Sequence, residues 1–172
     1  MVKSLIDEVN LLRKKGDYEY IIYKYVDRYT WINKFKDSIK DKYCHDMTDF
    51  NYSTCFSVWI NVTDTDVEIG GEEFEKFLDN NDELLIASIE ISAIAPYFVI
   101  TYLRYTKDNV QYSFSAYNRE CKDLEERIVT LLEDEGNKRL YEEELNIVIP
   151  DVQLELKEDD ATIYNCLFED SY

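Results

Sequence analysis

The chain is poor in glycine, proline, histidine and positive charge. Four glycines and two prolines in 172 residues leave few positions for backbone turns that need a positive or a fixed φ, so loops must be few and irregular stretches short. Glycine-rich phosphate cradles are missing with them. No P-loop, dinucleotide fingerprint, GxSxG or HExxH pattern occurs. Nineteen Lys and Arg stand against 37 Asp and Glu, a formal charge of −18. That balance argues against a nucleic-acid binder, which needs clustered cations to displace counterions from phosphates, and against attachment to anionic membrane surfaces.

Long hydrophobic runs are lacking too. The longest apolar stretch, residues 84–105, is interrupted by Glu90, Pro96 and Arg104, whereas a membrane span needs about 18 or more apolar residues. The start of the chain turns acidic at Asp7 and Glu8 before the apolar core of a signal peptide could form. A cytosolic protein is expected. Cys44, Cys55, Cys121 and Cys166 show no CxxC spacing; in a reducing compartment they are expected as free thiols packed like small apolar groups.

What is present is globular: 45% apolar and 33% charged residues, with fifteen Tyr, eight Phe and two Trp. The length fits one domain, 1–172, with a helical part (1–44) and a sheet-containing part (52–172). Leu5, Ile6, Val9 and Leu12 follow helical spacing over residues 3–15, and Gly16 supplies a stop. A second helical region covers residues 17–43, with a break near Thr30. The period then changes to two. Phe56, Val58, Ile60 and Val62 alternate with Cys55, Ser57, Trp59 and Asn61, the pattern of a strand with one buried face.

Gly70-Gly71 marks a turn before a short helix over 72–78. Strands follow over 84–93, 97–106 and 110–117, with Asp108-Asn109 as a tight turn. Short connections make them sequential neighbours in an antiparallel meander of about four strands. A helix over 119–135 is capped by Gly136-Asn137, and residues 152–156 and 162–167 read as a last strand pair. The fold class is α+β.

The charge is uneven. Residues 1–44 carry ten basic and seven acidic side chains, whereas residues 45–172 carry nine basic and thirty acidic. Residues 64–83 alone hold nine acids and only Lys76; residues 151–172 hold seven acids and only Lys157. Such density is self-repulsive, and a cationic ligand both relieves it and is steered in by it. The candidate docking acids are Asp64, Asp66, Glu68, Glu72, Glu73, Glu75 and Asp79. Trp59, Tyr102 and Tyr117 are the candidate aromatic anchors beside them, the composition of a protein-binding hot spot. Tyr97 and Tyr112 are expected in cross-strand packing.

Chemistry-bearing patterns are sparse. Asp64-Thr65-Asp66 has a DxD spacing that holds divalent metals in some enzymes, but such sites need more oxygen ligands than two, and here the acids read as a strand terminator. Cys44 and His45 are adjacent in sequence, so their side chains point apart, and His45 reads as a helix-terminal residue facing the C-terminal dipole. No catalysis, metal or cofactor is expected.

With Ile149-Pro150-Asp151 and the tail 161–170, Ala-Thr-Ile-Tyr-Asn-Cys-Leu-Phe-Glu-Asp, the chain resembles small acidic bacterial immunity proteins that act against polymorphic toxins. The resemblance implies a stoichiometric inhibitor that occludes a basic toxin domain, a nuclease being the best electrostatic match. The alternatives are a small-ligand-binding or regulatory domain with a pocket between sheet and helices, and a metal-dependent enzyme built on Asp64 and Asp66.

Overall fold

The computed structural model describes residues 2–15, 27–51, 53–152, 154 and 160–169. Helix α1 is Val2–Lys15 and α2 is Thr30–Ser38. Strands β1 (Cys44–Asp46) and β2 (Cys55–Asn61) precede α3 (Gly71–Asn80). Strands β3 (Leu84–Ser92), β4 (Tyr97–Tyr105) and β5 (Val110–Ser113) lead to α4 (Arg119–Asp134). Strand β6 (Lys138–Arg139) and the short helices α5 (Glu142–Leu145) and α6 (Ile163–Leu167) complete the chain. No helix among the described residues is long and apolar enough to cross a membrane.

The alternation in β2 and β3 sets one face of the sheet. Phe56, Val58 and Ile60 from β2 join Leu85, Ala87, Ile89 and Ile91 from β3, and Phe98, Ile100 and Tyr102 from β4, all buried. Helix α2 lays Trp31, Ile32 and Phe35 on this layer because they share one helical stripe. Helix α4 adds Cys121, Leu124, Ile128 and Leu132. Its ends follow local chemistry: the Asn118 side chain accepts from the Cys121 amide at 2.8 Å. Gly136, at φ 82°, lets the Asn137 amide donate back to Leu132 O at 3.0 Å.

The opposite face is covered in two separate pieces. At one end Cys55, Tyr97 and Val99 pack under Leu5 and Val9 of α1 and Ile163, Cys166 and Leu167 of α6. At the other end Leu84, Ile86 and Leu103 pack under Phe74, Phe77 and Leu78 of α3. Gly70 and Gly71, at φ 100° and 81°, make the turn into α3 that a side chain would strain.

The sheet runs β1-β2-β3-β4-β5, antiparallel throughout, and β6 pairs in parallel with β4. It therefore has six strands rather than about four. Strands of three and two residues are too short to show a period, and β6 reaches β4 from far along the chain.

The second helical region ends at Ser38 instead of 43, where Cys44 opens β1; residues 17–26 of that region lie outside the described residues. The C-terminal strand pair is replaced. Residues 163–167 form α6, with a single bridge between Val148 and Thr162. The cause is a reciprocal cap, in which Thr162 Oγ1 accepts from the Asn165 amide at 3.3 Å and Asn165 Oδ1 accepts from the Thr162 amide at 3.1 Å. The partner strand expected at 152–156 falls mostly outside the described residues.

Candidate functional site

Register brings the site together. In β1–β2 His45 stands opposite Trp59, and in β2–β3 Asn61 stands opposite Ile86. Directly opposed residues share a face, so these four project from the side of the sheet away from the main core. His45 is thus a strand residue and not a helix terminus, and Cys44 faces the core beside it. The loop after β2 then folds back over this corner. The Asn61 amide nitrogen donates to Thr65 O at 2.7 Å and Val67 O at 3.2 Å. Thr63 Oγ1 accepts from the Leu85 amide at 3.0 Å. These bonds hold Val67, Glu68 and Ile69 as a lip.

The result is a cleft of about 340 Å³ between sheet, lip and β1. Trp59, Met47, Ile69 and Ile86 give it apolar walls; His45, Asn61 and Glu68 give it polar ones. Two polar side-chain atoms of its lining residues, His45 Nε2 and Asn61 Oδ1, are buried with no hydrogen-bond partner among the described residues. A buried polar atom left unpaired costs about 1–3 kcal/mol.

Of the acidic candidates, Glu68 lines the cleft. Asp64, Asp66 and Glu68 are exposed along the loop, and Glu72, Glu73, Glu75 and Asp79 are exposed on the outer side of α3. Lys76 meets Glu72 at 3.1 Å, Lys107 meets Asp79 at 2.5 Å, and His45 Nδ1 lies 3.8 Å from Glu68. Asp64, Asp66, Glu73 and Glu75 take part in no ion pair among the described residues. No group of three or more His, Cys, Asp or Glu placed to hold a metal occurs among the described residues, so Asp64 and Asp66 gain no third ligand there.

No family model, curated protein or solved structure matches the chain.

The aromatic candidates separate. Trp59 is half-buried in the cleft wall. Tyr102 is 1% exposed inside the main core, its hydroxyl donating to Glu125 at 2.5 Å, so it belongs to no docking surface. Burial and the Glu125 carboxylate push its hydroxyl pKa up. Glu125 in turn meets Arg139 at 2.9 Å, a partly buried chain that ties β4 to α4 and β6. Tyr117 is half-buried against the core with Arg104 over its ring at 5.9 Å, away from the cleft lining.

Of the two tyrosines expected in cross-strand packing, Tyr97 is buried and Tyr112 is 76% exposed. Tyr112 stands opposite Leu103 in the β4–β5 register, on the face opposite Tyr102 and beyond the cover of α3.

His45 and Asn61 are the cleft residues that charge and aromatic patterning missed. The available signal was Asn61, a polar residue on the same alternating side as Trp59. The four cysteines are buried and none is in a disulfide. Burial pushes the Cys44 thiol up to about 11 and raises Cys55 and Cys121 as well, which disfavours the nucleophilic thiolate.

Proposed function

We propose that the protein is a non-catalytic acidic binding module that docks a basic protein partner, in the manner of an immunity protein occluding a cationic toxin domain. One observation carries this reading. A half-buried tryptophan in a cleft lies beside a continuous acidic loop and helix, in which Asp64, Asp66, Glu73 and Glu75 have no counter-charge among the described residues. Unpaired carboxylates on one rim focus the field outward and accelerate encounter with a cation. The aromatic wall then supplies the desolvated contact that slows dissociation. The burial of the cysteine thiols agrees with a role that needs no nucleophile.

The test uses a basic partner captured from the source organism at low salt. Its association rate should fall by roughly tenfold or more as salt is raised through the physiological range. Joint charge reversal at Glu72, Glu73 and Glu75, all exposed, should slow association similarly while leaving unfolding within about 0.5 kcal/mol of the parent. Association insensitive to salt and to the reversal contradicts the reading.

A further inference from the structure

We propose that the cleft is a socket for one guanidinium group, an arginine side chain of the partner, seated against Trp59 and Glu68 with Asn61 Oδ1 as its buried acceptor. The inference rests on the docking reading above and names its anchor.

Asn61 and Glu68 bring an acceptor and an anion to the cavity, and Lys36, on the exposed side of α2, brings a cation to its lining. The orientation of Asn61 is set by its surroundings. Its amide nitrogen serves two carbonyls, Thr65 O and Val67 O, and a flipped amide would set its oxygen against both. Oδ1 is therefore the end left over, on a residue 1% exposed, and it has no partner among the described residues.

His45 behaves the same way. In the tautomer that carries its proton on Nδ1, the nitrogen 3.8 Å from Glu68, the buried Nε2, without a partner among the described residues, is a second acceptor. Glu68 at the lip adds a full negative charge on a mostly exposed side chain, and the Trp59 ring adds the negative face of its π-system.

An anion entering this space would meet two lone pairs, a carboxylate and an aromatic face. Among the described residues Lys36 is the only lysine or arginine lining the cleft, and it sits on the exposed side of α2. A planar cation with several N–H donors satisfies all four groups at once. Arginine fits better than lysine because its guanidinium stacks on an indole and forks between acceptors, and it is less strongly hydrated. The apolar walls from Met47, Ile69 and Ile86 accept its methylene stem.

The probe is N-acetyl-arginine amide, with N-acetyl-citrulline amide as the neutral isostere and inorganic phosphate as the anion. The readout is the indole N–H resonance of Trp59, assigned by Trp59→Phe. The arginine derivative should shift it saturably, the citrulline derivative should bind at least about tenfold more weakly, and phosphate should leave it unmoved. Glu68→Gln, an exposed change without a folding role, should weaken arginine binding about tenfold.

Equal shifts from arginine and citrulline, a shift with phosphate, or no shift overturn the socket. If the indole ignores the arginine derivative while partner association stays steeply salt-dependent, the socket falls and the docking reading stands. If the derivative binds but partner association is indifferent to salt, the docking reading falls, and with it the assignment of the guanidinium to a partner's arginine.

Discussion

The two faces of the sheet are built to different standards. The face under α2 and α4 is one continuous apolar layer, whose largest members, Phe35, Phe56, Phe98 and Tyr102, are at most 1% exposed. The opposite face has two apolar ends with polar groups between and beside them: Ser57, Ser88 and Glu90 along the strands and the cleft at the β1 corner. Close packing without polar atoms maximises stability. Partial cover with unsatisfied groups does not, and it is where binding chemistry has room. The contrast puts the close packing on one side of the sheet and the cleft on the other.

The largest expected effect breaks the first face. Phe35 is fully buried between α2 and the sheet, and Phe35→Ala leaves a cavity that costs about 3–5 kcal/mol. Thermal or urea unfolding measures it. Trp59→Ala, on the half-buried cleft wall, should cost clearly less stability and far more partner affinity. If the two variants lose stability equally, the division between the faces is wrong.

The next effect concerns Glu90 on the opposite face. Its carboxylate lies under α6, where Tyr164 donates to it at 3.2 Å, and Glu169 lies 3.4 Å from the same hydroxyl. Burial pushes its pKa from 4.5 up to about 7; the Tyr164 bond opposes the rise and Glu169 adds to it.

A folded-state pKa above the unfolded one means that the native protein holds a proton the unfolded chain has released. The associated stability is therefore complete below pH 4.5 and is lost as pH rises through about 7. By that shift Glu90→Gln should be more stable than the parent above neutrality by an amount on the order of 3 kcal/mol, and no more stable than it at acid pH. The difference between the two unfolding profiles cancels the general repulsion of an acidic chain. Parallel profiles across this range refute the placement of the charge.

How far the sequence disclosed this asymmetry depended on how local each signal was. Helix α4 and strand β2 were legible because a period repeated over enough residues, with Gly136 closing α4. The acidic rim was legible because 64–79 is one contiguous run. Tyr102 and Tyr112 were not sorted correctly. Which face each occupies depends on register across a hairpin, and whether that face is covered depends on how far α3 extends. The cleft was hidden for the same reason. His45 and Trp59 meet only through β1–β2 pairing, and Asn61 becomes a polar floor only when the 65–67 backbone folds back onto it.

The smallest effect tests whether the pieces of the opposite face act independently. Helix α6 was misread as a strand because five residues carry too little period, while Thr162 and Asn165 cap it reciprocally. Thr162→Ala removes one of those capping bonds and should cost about 1 kcal/mol. The loss should appear first as faster amide exchange at Cys166 and Phe168, whose amides donate within and just after α6. Because α6 belongs to a different apolar cluster from the one beside Trp59, partner association and its salt dependence should be unchanged. Sites without shared partners contribute additively, so Thr162→Ala combined with Glu68→Gln should show the sum of the single effects. A coupling above about 0.5 kcal/mol would mean that the two ends of this face communicate through the β3 and β4 residues between them, and that recognition and C-terminal docking are one unit.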